Sequence, residues 1–233
     1  MRSPQAQQRY WARSFVAWQY FSRAQPNAAH DALAALEARG SLQGGLITQN
    51  VDGLHQQAGH ANCLDLHGRI DEVECLECGA ATPRAELQQR LEAANPSFAP
   101  RLRALAATST SFSAVRADGD MELSAEETRT FVVQRCTSCR GPLKPAVTFF
   151  GGSVPRAATE AAFAAVDAAD SVLVVGSSMQ VYSAFRLARR AHERGLPIAI
   201  LNVGPTRADD LAALHIHADA AELLPGVIDE VTG

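Results

Sequence analysis

The chain has five cysteines, and four of them form two matched pairs, Cys75-Leu-Glu-Cys78 and Cys136-Thr-Ser-Cys139. A Cys-x-x-Cys pair places two thiolates on one tight turn, and two such turns supply a complete tetrahedral shell for Zn²⁺. The spacing predicts one structural zinc held by Cys75, Cys78, Cys136 and Cys139. Four thiolates leave no open coordination position, so the metal would brace a scaffold and the chemistry must lie beside it. The competing readings are two disulfides or a redox pair. Disulfides need an oxidising compartment, and the start of the chain does not read as a secretory signal. A redox Cys-x-x-Cys usually stands alone. Cys63 is the odd cysteine and reads as a small core residue.

The other residues able to do chemistry gather at the ends of short apolar runs. Leu46-Ile-Thr-Gln-Asn50 runs into Val51 and Asp52, Cys63-Leu-Asp-Leu into His67-Gly68, Ser171-Val-Leu-Val-Val into Gly176-Ser177-Ser178, and Pro197-Ile-Ala-Ile-Leu into Asn202-Val203-Gly204. Helical patterns precede and interrupt these runs: aromatics at near-helical spacing over 5–22, a helix from Asn27 to Arg39 opened by Pro26 and ended by Gly40, and another from Ala184 to Arg194. Alternating strands and helices imply a Rossmann-like parallel sheet with helices on both faces. Ligands of such sheets bind at the carboxyl ends of the strands, where these polar groups fall. Gly and Ser after a strand suit close approach to phosphate or ribose. A plain turn with a serine helix cap suits the same residues.

From about Asp71 to Lys144 the texture changes. Both Cys-x-x-Cys pairs, a polar helix from Pro83 to Ala94 and an Ala/Ser/Thr-rich segment lie here. This stretch, 71–144, reads as a zinc-binding module inserted into a nucleotide-binding domain made of 1–70 and 145–233, with 1–40 a helical part bordering the small domain. Asp118-Gly-Asp120-Met-Glu122 hints at a calcium loop, but Ala114 and Arg116 stand where such a loop needs oxygen ligands. The chain is 47% hydrophobic, enough for a sizeable core, and its net charge of −4 gives no electrostatic footprint for nucleic acid. The longest apolar runs are far too short to span a bilayer. Arg2, Arg9, Arg13 and Arg23 with no acidic residue in 1–30 could mark a transit peptide, yet Trp11, Phe15, Trp18 and Phe21 look like a packed face. The expected location is cytoplasmic.

Thr48-Gln49-Asn50-Val51-Asp52-Gly53-Leu54-His55, Leu66-His67-Gly68, the two cysteine pairs, Leu143-Lys144-Pro145, Phe149-Phe150-Gly151 and Val174-Val175-Gly176-Ser177-Ser178 together resemble the sirtuins, in that order. Arg9-Tyr10-Trp11-Ala12-Arg13 and the run from Pro197 to Arg207 resemble the class II branch, which includes the mitochondrial sirtuin 4. The resemblance implies an NAD-dependent protein-lysine deacylase acting on acyl-lysine protein substrates. Nicotinamide is released and the acyl group leaves on ADP-ribose. It implies His67 as the base and Asn50 and Asp52 as holders of the ribose and the carboxamide. Gln49 and Val51 would be further nucleotide contacts. Gly176, Ser177 and Ser178 would form the phosphate–ribose turn, Asn202, Val203 and Gly204 the adenosine-ribose contacts, and Ala220 the last adenine contact. Ala146 to Gly151 would pair with the substrate backbone. Sirtuins often carry an acidic residue after Phe-Phe-Gly; Gly152 stands here.

The family pattern also includes a leading strand, a Gly-Ala-Gly-x-Ser phosphate turn and a nicotinamide-capping loop, which these 233 residues do not show. The chain as given is therefore expected to bind NAD weakly. Three readings compete: a sirtuin enzyme whose start lies upstream, a remnant acting as a binding protein without catalysis, and an unrelated NAD-dependent oxidoreductase with a zinc module; a mono-ADP-ribosyltransferase is a further alternative. The oxidoreductase reading fails, because the His67 and Asn50–Asp52 set has no evident role in hydride transfer.

Overall fold

A computed structural model describes residues 3–42, 44–98, 100 and 128–232. The Asp118–Glu122 loop lies outside them. The chain divides into two compact units, each described by itself. The first takes in Met1–Ala24, Asn50–Gly53 and Gly68–Phe150; the second takes in Gln25–Gln49, Leu54–His67 and Gly151–Gly233.

In the first unit, helix α1 (Pro4–Phe21) starts where Ser3 accepts the Ala6 N–H and Pro4 sets the first helical φ. Its face at Trp11, Ala12, Phe15 and Val16 is fully buried, the spacing of one helical stripe. Strands β3 (Gly68–Cys75), β4 (Ala81–Pro83) and β5 (Leu143–Val147) form an antiparallel sheet in the order β4-β3-β5. Helix α4 (Arg84–Ala94) adds Leu87 and Leu91 to a core shared with Val73, Phe131 and Leu143. The Trp11 indole N–H donates to the Leu143 carbonyl at 3.2 Å. Arg84 is wholly buried in this core: it donates to Ser14 and lies 5.0 and 5.5 Å from the Trp18 and Trp11 ring centres. Burial pulls its guanidinium down to about 10.

The second unit is the parallel one. Strand β1 (Leu46–Thr48) pairs with β2 (Cys63–Asp65), and β6 (Val172–Val175), β7 (Ile198–Leu201) and β8 (Leu214–Ile216) form a second parallel sheet. The parallel pairing expected from the alternation is present, but in two hydrogen-bonded sheets. Helix α2 (Ala28–Ala38) begins at the Asn27 cap and ends before Gly40 at φ +76°, one residue inside the sequence reading at each end. Helix α3 (Leu54–Gln57) is a single turn; α5 (Arg156–Ala168), α6 (Tyr182–Glu193) and α7 (Ala220–Thr232) complete the unit. Helix α6 buries Ala184, Leu187, Ala188 and Ala191, while Arg190 forks onto Asp167. Cys63, expected in the core, is half-buried in β2. Among the described residues, no helix is long and apolar enough to cross a membrane.

Candidate functional site

The cysteines meet in the first unit as two knuckles of equal build. Strand β3 delivers Cys75, whose carbonyl accepts the Gly79 N–H at 3.0 Å; the Cys136 carbonyl accepts the Arg140 N–H at the same distance. Each knuckle closes through a left-handed residue, Gly79 at φ +71° and Arg140 at φ +66°. Backbone amides also point at sulfur: Glu77 N–H to Cys75 and Gly141 N–H to Cys139. All four Sγ atoms lie within 4.8 Å of one another, with Cys75–Cys139 at 3.4 Å and Cys78–Cys136 at 3.8 Å. These separations are too long for disulfides. A tetrahedron of Zn–S bonds of about 2.3 Å has S–S edges of about 3.8 Å, so the donor set fits zinc in number, chemistry and size.

The thiols are electrostatically primed for a cation. Backbone amides of Cys139 and Ser138 bring Cys136 down to about 6, and those of Cys78 and Glu77 lower Cys75. Cys139 carries the opposite burden: although the Gly141 N–H favours its thiolate, the thiols of Cys75 and Cys78 push it up to about 12. Four thiols in contact cannot all ionise without a positive charge among them. Gly141 was not singled out by sequence. A Cβ there would stand 3.0 Å from Cys75 Sγ and 2.8 Å from Glu77 Oε2.

His67 lies in the second unit, after β2. Its Nδ1 is 3.0 Å from the Gln49 carbonyl and its Nε2 is 2.8 Å from Ser183 Oγ. A carbonyl only accepts, so the neutral ring carries its proton on Nδ1 and its lone pair on Nε2. The Gln49 side chain donates to Ser177 Oγ at 2.8 Å, and Ser177 also accepts the Met179 N–H at 3.2 Å. The ends of β1, β2 and β6 are thus joined by side chains. The strand ends of the second sheet are staggered: Gly176 N–H donates to Leu201 and Asn202 N–H to Ile216. Gly176 has φ +58° and open space beside it, Val203 is 70% exposed, and Asn202 Nδ2 donates to the Gly204 carbonyl at 2.7 Å. Exposed backbone beside an amide and two hydroxyls suits a ligand rich in ribose and phosphate oxygens. Ala220 opens α7, where Asp219 accepts the Ala221 N–H.

Asn50, Val51 and Asp52 belong to the first unit. The Val51 carbonyl accepts the Ile70 N–H at 2.8 Å, which fixes this segment on β3. Gly68 has φ +80°, and a Cβ there would stand 2.0 Å from the Ala146 carbonyl oxygen, so only glycine lets β3 and β5 meet at this point. Ser183 is the other site residue the sequence did not reveal. A serine just inside a helix carries no signal of what faces it from elsewhere in the chain.

The Sir2 family model matches residues 1–183. An "NAD-dependent protein deacetylase" of Xanthomonas axonopodis pv. citri is 54% identical over 217 residues, covering 93% of this chain and 70% of that protein. The human "NAD-dependent protein lipoamidase sirtuin-4, mitochondrial" is 48% identical over 225 residues, covering 97% and 68%. Among solved structures, "Sir2 bound to acetylated peptide" superposes with a TM-score of 0.71 at 28% identity, covering 91% of this chain and 73% of that one. Another, "Sir2-p53 peptide-NAD+", gives 0.70 at 29%, covering 91% and 72%. A family model that matches most of the chain, and relatives near half identity along almost all of it, show that the chain belongs to the Sir2 family.

Proposed function

We propose that this sirtuin is an NAD-dependent protein-lysine deacylase that takes the acyl group off a lysine of a protein substrate. The observation that carries the reading is membership of the Sir2 family with relatives named as NAD-dependent deacetylases at about half identity. NAD, when bound, supplies the ribose that receives the acyl group and releases nicotinamide. His67 is the general base that takes the proton from a ribose hydroxyl on Nε2. The Gln49 carbonyl supports that role by keeping the Nδ1 proton in place. Asn50 and Asp52 hold the nicotinamide ribose and carboxamide, with Gln49 and Val51 as neighbouring contacts. Gly176, Ser177 and Ser178 receive phosphate and ribose. Asn202, Val203, Gly204 and Ala220 receive the adenosine end.

The acyl-lysine segment adds as a strand to β5. In the first unit β5 is an edge strand, bonded to β3 alone among the described residues, which leaves a row of backbone groups for an extended peptide. Phe150, 79% exposed, follows that edge. With Gly152 in place of an acidic residue, the peptide contact there falls to backbone. Cys75, Cys78, Cys136 and Cys139 hold one structural zinc. Functionally the chain divides into a zinc-binding module, 71–144, and a nucleotide-binding part, 1–70 and 145–233. Thiols kept reduced for a metal suit a cytoplasmic location.

The test is product analysis. Incubation with NAD and an acetyl-lysine peptide should yield nicotinamide, free lysine peptide and O-acetyl-ADP-ribose in equal amounts by mass spectrometry. Nicotinamide released with the peptide still acetylated and ADP-ribose attached to protein would sink the deacylase reading in favour of ADP-ribosyl transfer.

A further inference from the structure

The connection between β6 and α6 reaches His67 from two sides. Ser177, at its start, holds the Gln49 side chain, and the Gln49 carbonyl accepts a hydrogen bond from the Nδ1–H of His67. Ser183, at its end, meets Nε2 directly at 2.8 Å. Between them Met179 is buried with φ +53°, a left-handed conformation rare for a side chain of that size. Its N–H is tied to Ser177 Oγ, so the turn that aims both serines is itself pinned.

Ser183 is the second residue of α6, where a hydroxyl is often spent on the helix's own first amides. Helix α6 begins without a side-chain cap. Its hydroxyl is therefore available to the imidazole. With Nδ1 protonated by the Gln49 bond, Nε2 can only accept in the neutral ring, and the Ser183 hydroxyl donates to it. Two bonds on opposite ring nitrogens fix both the tautomer and the ring's rotation about its stem. Without the Ser183 bond the ring can turn away from the Gln49 carbonyl, and the tautomer is then no longer fixed.

We infer that Ser183 is the positioning residue of His67, its hydroxyl holding the imidazole in the Nδ1–H form with the Nε2 lone pair kept as the acceptor. The inference rests on the reading of His67 as the base. In turnover the substrate hydroxyl takes the place of the Ser183 hydroxyl at Nε2, and proton transfer then occurs from substrate to Nε2. Ser183 itself neither gains nor loses a proton.

The experiment compares Ser183→Thr with Ser183→Val, two side chains of one shape that differ in a hydroxyl. Long-range ¹H–¹⁵N spectra of the His67 ring should show a single Nδ1–H tautomer in the wild type and in Ser183→Thr. Ser183→Val should show a mixture with Nε2–H. The kcat for deacylation should fall about tenfold in Ser183→Val, the rate equivalent of one hydrogen bond, with KM for NAD unchanged and Ser183→Thr close to wild type. Wild-type tautomer and kcat in Ser183→Val would overturn the positioning role. A joint fall in Ser183→Thr and Ser183→Val would mean packing, and would overturn it too. His67→Ala separates the two layers. If it is inactive while Ser183→Val is unaffected, only the Ser183 role fails; if it keeps wild-type turnover, the base reading fails and takes the Ser183 role with it.

Discussion

The zinc knuckles and the His67 cluster are built by opposite routes. Each knuckle is local: five or six consecutive residues set two thiols, a left-handed closure and an amide that points at sulfur. His67 is held by Gln49, itself held by Ser177, and by Ser183, residues far apart in the chain. A local device keeps its geometry through short-range sterics, and its loss exposes the fold to the loss of a metal. A long-range device borrows its geometry from an already folded sheet, so single changes should disturb chemistry and spare the fold.

That contrast is broken most directly at the metal. Cys136→Ala leaves three thiols and an open position, and structural zinc contributes roughly 10–16 kcal/mol to the folding of small zinc modules. Elemental analysis should show about one zinc per wild-type chain and far less in the variant, with the first unit's near-ultraviolet signal collapsed. A metal-free protein with wild-type tertiary structure would place the knuckles in the same class as His67.

The mirror experiment is His67→Ala. Turnover of an acyl-lysine peptide, in a preparation with measurable activity, should fall by about 10²–10⁴-fold. NAD affinity and melting temperature should stay near wild type, because a base acts on a proton transferred during the reaction and contributes little to ground-state binding. A large drop in melting temperature would mean that the ring is structural.

How much of this was legible in sequence follows the same line. The cysteine ligands could be read from spacing because the knuckle is written in consecutive residues. Helix α2 could be read to within a residue because Asn27 and Gly40 punctuate it locally. The role of His67 came only from resemblance, since Gln49, Ser177 and Ser183 converge through parallel pairing that no local pattern encodes. Parallel strands were foreseen, whereas the split into β1–β2 and β6–β7–β8 was not, because alternation reveals type and not which strands bond. Gly68 and Gly141 were legible as glycines only; what forbids a Cβ is the Ala146 carbonyl in one case and Cys75 Sγ in the other. Arg84, in a helix that reads only as polar, is wholly buried, because Trp11 and Trp18 of a distant helix cover it.

Arg84 offers an intermediate test, since it is long-range like His67 and yet serves the core. Its Nη2 donates to Ser14, and two indole faces stabilise its charge. Truncation to Ala would remove the stem from a packed core and should cost about 2–4 kcal/mol in urea unfolding. Arg84→Met, which keeps the stem and removes a buried charge, should cost markedly less. Equal losses would show that the charge outweighs the packing.

The smallest effect lies in the second unit, where Glu37 at the end of α2 ties down the turn before β2. Its carboxylate accepts the Asn62 N–H at 2.8 Å, the Ala61 N–H at 3.0 Å and His60 Nδ1 at 2.9 Å. Burial alone would raise its pKa, but the two amides and His60 together hold it below the usual carboxylate range. A depressed folded pKa fixes the sign: the stabilisation is complete above the unfolded value of about 4.3 and is lost as pH falls through the folded one. Glu37→Gln keeps the shape and one acceptor, so it should loosen the turn by about 1 kcal/mol at neutral pH. Hydrogen exchange at the Ala61 and Asn62 amides reads this locally, free of zinc release in acid. Protection should exceed that of Glu37→Gln above the unfolded value and converge with it as pH falls through the depressed folded value. A protection difference that widened in acid would mean that His60, and not the amides, sets the charge of Glu37.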